Sequence, residues 1–494
     1  MRATTNQKVA KRGTQAVMRT KDHTGALAVP QMKVDRLVHA MFREKQRQWL
    51  DKMLDRAKRK QIGHLVSKLW DGVPRHMPDP QGGSYNLAHI MEFDSNQAAV
   101  LRQVNLGTSM FPDEKTTNEV NVMQLVADRT TIPVACVQCA KLTEDPIEKG
   151  TKDLDTYDLR PFILMEYLPH NTDMGRALNT PELSEEQPPV LNPKLDPTEL
   201  KKLCRLAARA LLDLWKLEFD AIGSPELIEE APCRVTRRPL TRRMNELVAM
   251  GGCRRADLPQ LAFTSTQKYF VALAQLHIDH LAYQQNDAFS DELDCTRKYA
   301  ARLLFRRMMN SREPSACDEG PFKLWCDDFR PTNILLSGDN IAGVIDWEFA
   351  YAAPAEFSCA PPWWLLLQRP EDWEAGWGDW TEKFEVALGT FLEAMTEAED
   401  AAIASESLAE GQRLSRRMRE SWENGDFWVM YCLQTDYAFD LVFWNGIFPR
   451  HHGSCEDFET AWRKAWSLLT EEEKQGAMRF TATRHGDKVP FCGN

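Results

Sequence analysis

The spacing of apolar positions changes along the chain, and each change marks an element. Across 34–70, Leu37, Met41, Trp49, Met53, Leu54 and Leu65 recur among many charges, which predicts one or two surface helices. The stretch Gln81-Gly82-Gly83-Ser84-Tyr85-Asn86 is a glycine-rich turn. Ile90, Phe93, a polar turn at Asp94-Ser95-Asn96 and the run 99–104 follow it, and together they predict paired strands. Between 113 and 129, Val122, Met123 and Val126 make an apolar helical face, with Glu119 one turn before them on the same side. The run 162–168 predicts a strand that stops at Pro169. The proline- and acid-rich 184–197 reads as a loop. Asp196-Pro197-Thr198-Glu199 then opens a helix, with a capping acceptor, proline in the first turn and Glu at its third position. Leu203, Ala207, Ala210, Leu211, Leu214 and Leu217 continue it as a core helix. Residues 267–309 read as largely helical. Helices are predicted at 384–395 and 409–422, with the acidic, alanine-rich 397–410 between them. Trp428, Tyr431, Tyr437, Phe439, Phe443 and Trp444 have the spacing of a core; a cage for a cationic ligand is the alternative.

The stretch 324–351 organises the rest. Ile334, Leu335 and Leu336 form one apolar run, 337–340 are turn residues, and 341–345 form a second run, which is a hairpin. Asp328 and Asn333 precede its first strand and Asp346 ends its second, so two carboxylates and an amide converge at one end of a buried scaffold. Hard oxygen ligands of this kind suit Mg²⁺, which takes one or two carboxylates and completes its shell with phosphate and water.

Asp328-Phe329-Arg330-Pro331-Thr332-Asn333, followed by Val344-Ile345-Asp346-Trp347-Glu348, resembles the catalytic and metal-binding loops of the aminoglycoside phosphotransferase and choline kinase-like family, distant relatives of protein kinases. The resemblance extends over about 82–453, and 354–357 with 361–364 resemble fungal-type members. It implies an α+β, bilobal protein kinase-like fold: a small β-rich N-lobe with one key helix, and a larger, mainly helical C-lobe. The implied divisions are a flexible basic tail (1–33), a helical extension (34–78), the N-lobe (79–168) and the C-lobe with both loops (169–494). It further implies ATP and Mg²⁺ as cofactors, with Asp328 as catalytic base and Asn333 and Asp346 as metal ligands. Gly83 and Ser84 would sit in the phosphate-facing turn, Arg102 would bind the α/β phosphates and pair with Glu119, and the backbone from Glu166 to Leu168 would contact adenine. The expected reaction moves the ATP γ-phosphate to a hydroxyl of a small molecule; a catalytically silent nucleotide-binding or scaffold module is the alternative. Protein kinase activity is disfavoured, because no activation segment separates Asp346 from 350–362. Two positions depart from the family pattern. Cys326 stands where the family has a loop-supporting His, and thiol is the poorer donor. Asp327 adds a second carboxylate, which either perturbs Asp328 by like-charge repulsion or points to solvent.

Composition narrows this reading only a little. At 494 residues, 43% hydrophobic and 27% charged, the chain is long enough for two lobes, each with a core. A net charge of −11 argues against a general nucleic-acid binder, and no apolar run reaches membrane-spanning length. Twelve scattered cysteines without a secretory signal indicate reduced thiols and a cytoplasmic protein; the acid-poor N-terminus leaves mitochondrial targeting as the weaker alternative. Cys136 and Cys139 read as buried strand residues. The arginines of 234–243 are expected on a solvated surface, with an acidic substrate as the other reading. Acceptor choice is expected to lie in the large-lobe helices and the loops near 234–255 and Trp363; the sequence fixes neither the acceptor nor the oligomeric state.

Overall fold

The computed structural model describes residues 26–95, 97–143, 159–184, 187–227 and 233–486. Most of the predicted basic tail, 1–25, lies outside the described residues.

The small lobe is an antiparallel sheet. Its strands are β1 (Pro74–His76), β2 (Gln81–Gly82), β3 (Asn86–Phe93), β4 (Ala98–Val104), β5 (Val137–Lys141) and β6 (Phe162–Glu166), in the order β1-β3-β4-β6-β5 with β2 paired to β3. In β3 and β4 every second residue turns inward, as the two-residue repeat of a strand requires; Leu87, Met91, Phe93, Ala99 and Leu101 fill one face. Helices α1 (Arg36–Leu54) and α2 (Arg56–Leu69) cover that face with Trp49, Met53, Ile62, Leu65 and Val66. Helix α3 (Pro112–Arg129) lies on the other side and leads toward the second lobe.

The large lobe is mainly helical. The helix Pro197–Lys216 opens as its sequence predicts, with Asp196 Oδ1 accepting from Thr198 N at 2.8 Å and Glu199 N at 3.3 Å. Two long helices, Thr266–Tyr283 and Glu292–Ser311, form a packed pair. The helix Trp377–Ala404 runs through the stretch expected to separate two helices: Ala394, Met395, Ala398 and Ala402 face the core and keep it continuous where acidic composition suggested a break. The aromatic residues from Phe427 to Phe448 are core, interleaved in face and edge contacts. Two small sheets carry the chemistry-bearing loops. β7 (Thr172–Asp173) pairs with β12 (Ile334–Ser337), which pairs with β13 (Asn340–Val344) around a two-residue turn where Gly338 has φ +56°. β8 (Glu218–Phe219), β11 (Phe322–Cys326) and β14 (Ala350–Ala353) form the other, while β9 (Ser224–Glu226) pairs with β10 (Arg234–Arg237).

Residues 26–33, assigned to the tail on sequence, instead pack on the far end of the large lobe. Leu27 N donates to Asn445 Oδ1 at 2.7 Å, Met32 N to Asp440 Oδ2 at 3.2 Å and Lys33 N to Asp287 O at 3.1 Å, while both apolar side chains are buried. Asp35 caps α1 through Val38 N, and α1 then carries the chain over to the small lobe. The apolar residues around Leu27 and Met32 form a run too short to show a period, and Pro30 interrupts it, so this docking was invisible there.

Candidate active site

Between the lobes lies a cleft of about 240 Å³, with Ala88, Ile90 and Val100 above, Leu335 and Val344 below, and Met123, Ala135 and Met165 behind. Its edge is the crossover after β6. Glu166 N donates to Cys136 O at 3.0 Å and Cys136 N to Glu166 Oε1 at 2.9 Å, so Glu166 is occupied closing the sheet. Tyr167 N is likewise held by Ala98 O at 2.9 Å, and Leu168 O accepts from His170 Nδ1 at 2.8 Å. The Leu168 N–H has no hydrogen bond among the described residues, which leaves a donor at the rim of an apolar slot. Leu168 also presses on β13: a Cβ at Gly343 would lie 2.3 Å from Leu168 Cδ1, so only glycine permits this approach.

The polar end of the cleft is a buried ion network. Arg102, on β4, donates to Glu119 of α3 and to Asp346 Oδ1, and its Nη2 lies 3.5 Å from Glu348 Oε2. Lys115 of α3, almost fully buried, donates to Glu348 Oε2 at 2.5 Å and Asn86 Oδ1 at 2.8 Å; Asn86 Nδ2 in turn donates to Glu348 at 2.6 Å. Burial pushes the Lys115 ammonium below its ordinary pKa, against the pull of Glu348. Burial would raise Glu348, but Lys115 and Arg102 hold it below the usual range; for Asp346 burial prevails and its carboxyl is raised. Sequence reasoning missed Lys115 and Asn86 and gave Glu348 no role. The signal was present in part, since Lys115 precedes Glu119 by four residues on one helical face.

At the cleft mouth the two loops meet. Asn333, in a single 3₁₀ turn Pro331–Asn333, donates through Nδ2 to Asp328 O at 2.9 Å and Asp328 Oδ2 at 3.1 Å, which orients the Asp328 carboxylate and leaves the amide oxygen of Asn333 as an acceptor. Arg330 Nε lies 3.2 Å from Asp328 Oδ1. Asp346 has φ +64°, a left-handed conformation that Asp tolerates better than most residues and that is found at constrained functional positions. Ile345 N, just before it, is tied to Asn333 O at 3.0 Å. Cys326 replaces the expected histidine support in its own way: its thiol donates to Asp346 O at 3.6 Å and thereby joins the two loops. Burial pushes that thiol well above its ordinary pKa, so it stays protonated and a donor.

Asp327 does not point to solvent, and the like charge of Asp328 adds to the effect of burial on it. It turns inward, accepts from Trp325 Nε1 at 2.9 Å and Arg242 N at 3.1 Å, and burial raises its pKa to about 6. The arginines of 234–243 also divide. Arg234 is exposed and Arg238 pairs with Glu114, but Arg242 and Arg243 point inward beside Asp327. Their helix Arg242–Ala249 is capped by Thr241 and buries Met244 and Leu247, which turns these two side chains toward the cleft.

The cleft thus brings together Arg102, Glu119, Glu166, Leu168 and Asp346; Asn333 and Asp328 adjoin it at the mouth. Gly83 and Ser84 are not in its wall: both are exposed in the β2–β3 turn, with Gly83 N bound to Asn86 O at 2.9 Å. Cys136 is exposed just before β5 and Cys139 is half-buried on that edge strand, so the pair is not buried as expected. Among the described residues no cluster of three His, Cys, Asp or Glu forms a metal site, and no helix is long and apolar enough to cross a membrane.

Residues 80–392 match the family model described as the phosphotransferase enzyme family. Among solved structures, the chain is similar to a thermostable mutant of aminoglycoside phosphotransferase APH(4)-Ia in ternary complex with ADP and hygromycin B, at 13% identity over 78% of this chain and 98% of that one, TM-score 0.39. It is also similar to a macrolide 2'-phosphotransferase type I, at 12% identity over 84% and 98%, TM-score 0.37. A third is the streptomycin–ATP–APH(2'')-IIa ternary complex, at 12% identity over 77% and 97%, TM-score 0.37. No curated protein sequence matches the chain.

Proposed function

The chain belongs to the phosphotransferase enzyme family, with its bilobal kinase-like fold, and from that premise we propose that it transfers the γ-phosphoryl group of ATP to a hydroxyl of a small molecule. The observation that carries this reading is the convergence of Asp328, Asn333 and Asp346 at the mouth of an apolar slot whose inner end holds Arg102. Adenine would occupy the slot, with the free Leu168 N–H as its hydrogen-bond donor. Arg102 would turn part of its fork from Asp346 to the phosphates while Glu119 holds the rest. The backbone of Gly83 and Ser84 would reach the phosphates only if their turn folds down over the cleft.

Asn333, through its amide oxygen, and Asp346, through the carboxylate oxygen that Arg102 does not take, form a hard and incomplete donor set that fits Mg²⁺ sharing its shell with phosphate. When bound, that cation neutralises phosphate charge. Asp328 accepts the acceptor's hydroxyl proton as its oxygen bonds to the γ-phosphorus. The bond to the β,γ-bridging oxygen breaks, and ADP leaves with that electron pair. Asn333 keeps Asp328 oriented throughout.

The test is ATP turnover over a panel of hydroxyl acceptors, with wild type and Asp328→Asn compared alongside ATP binding. The variant should bind ATP normally and lose about 10²–10⁴-fold in kcat/KM. Equal turnover in the two would overturn the mechanism, and ATP binding without turnover on any acceptor would favour the silent module.

A further inference from the structure

Beside Asp327, and sharing no lining residue with the nucleotide slot, lies a second small pocket. Arg242, Arg243, Asp327, Trp363, Arg369, Tyr431, Gln434 and Thr435 line it, so three arginines face one space of about 20 Å³. The question is whether those arginines are already satisfied.

Arg243 is 3% exposed. Its Nε donates to Asp436 at 2.5 Å, and its Nη1 to Leu433 O at 2.7 Å and Leu273 O at 3.1 Å; its Nη2 is buried with no partner. A buried guanidinium nitrogen that makes no hydrogen bond costs stability, so such groups are rare unless something outside the protein supplies the acceptor. Among the described residues the Arg242 side chain makes no hydrogen bond: the charges of Glu246, Asp328 and Asp327 bear on it, but its ion pair to Glu246 spans 3.7 Å. The Arg369 guanidinium carbon lies 4.2 Å from the Trp363 ring centre, and its polar contacts among the described residues are long, to Tyr431 Oη at 3.4 Å and Glu371 at 3.8 Å. The nearby carboxylates are otherwise engaged: Asp436 by Arg243, Glu371 by the Tyr431 hydroxyl at 2.6 Å, and Asp327 by Trp325 and the Arg242 backbone. Donors without acceptors, in planar forks, are what a carboxylate or phosphate group satisfies.

A wider, apolar space adjoins this pocket and shares Asp327, Trp363, Tyr431 and Gln434 with it. Leu211, Leu214, Leu324, Phe329, Trp364 and Phe427 provide its walls.

We propose that the acceptor is a hydroxy acid: its anionic group docks between Arg242, Arg243 and Arg369, its hydrocarbon body lies toward the neighbouring apolar space, and its hydroxyl reaches Asp328. This identifies a substrate class for the phosphotransfer proposed above and rests on that reading. An acidic acceptor is the opposite of a polycation, which these arginines would repel.

The experiment separates binding from transfer. Trp363 lies in the pocket, so its fluorescence reports occupancy without catalysis, with Trp363→Phe identifying its share of the signal. The full chain is titrated with 3-phenyllactate and other aliphatic and aromatic hydroxy acids, with their neutral amides and with kanamycin; ADP release is followed in parallel. The acids should bind saturably, and their amides about tenfold or more weakly. Arg242→Gln and Arg369→Gln, each checked for an unchanged circular dichroism spectrum, should weaken the acids by a similar factor, while Arg234→Gln, at an exposed strand position outside the pocket, should not. Amides binding as well as acids, affinity insensitive to both pocket variants, or saturable binding of kanamycin alone would each overturn the acceptor assignment even if phosphotransfer occurs. Acid binding that passes these criteria without ADP release would keep the anion site and count against the phosphotransfer reading.

Discussion

Asp327 and Asp328 are adjacent carboxylates with separate lives. Asp328 faces the cleft mouth between Asn333 and Arg330, whereas Asp327 is buried against Trp325 and the Arg242 backbone. Because burial raises Asp327 from 3.8 to about 6, the folded state holds its proton more tightly than the unfolded chain does. Stability from this residue is therefore full below the unfolded pKa and declines as pH rises from about 4 to 6. Asp327→Asn should flatten that decline and make the protein more stable than wild type at pH 7, on the order of 2 kcal/mol, in thermal unfolding followed across pH. A variant that keeps the wild-type slope would place the titration elsewhere. Chemistry of this kind was half legible in the sequence. The motif gave the positions of Asp328, Asn333 and Asp346, but the direction of each neighbouring side chain depends on strand register. Cys326 ends β11 and Asp327 begins the turn after it, one directed toward Asp346 O and the other toward Arg242 N, and nothing in the local sequence says which.

Among the elements, α3 carries more than its apolar face announced. Lys115 and Glu119, one turn apart, grip Glu348 and Arg102 respectively, so one helix fixes both the strand that presents Arg102 and the loop that presents Asp346. Removing one member of a buried pair strands the other, so Lys115→Met should cost about 3–5 kcal/mol. The double variant Lys115→Met/Glu348→Leu should recover about 1–3 kcal/mol of the summed single losses in a denaturant-based cycle. Strict additivity would mean that the two residues act apart. The hairpin, the cap at Asp196 and the small-lobe strands were readable because each follows a local rule of period or turn chemistry. The continuous helix Trp377–Ala404 was not, since burial of its alanines depends on the partner helix Pro197–Lys216.

At the level of the molecule, the two-lobed plan followed from the order of motifs, whereas the path of the N-terminal segment did not. Leu27 and Met32 are buried among large-lobe residues, and α1 ends among small-lobe residues. Leu27→Ala with Met32→Ala should lower stability by about 2–5 kcal/mol for each side chain, measured by denaturant unfolding. A loss below about 1 kcal/mol would show that the segment rests on the lobe without holding it. The consequence concerns motion. The lobes are joined by the crossover at Tyr167 and Leu168, by the N-terminal segment that Asn445 and Asp287 hold, and by α3, through Lys115 to Glu348, Asn118 to Ser224 and Glu114 to Arg238. A body tied at three separated places, unlike a door on two hinges, has no line left about which it turns freely. Opening of this cleft therefore requires at least one of these ties to give.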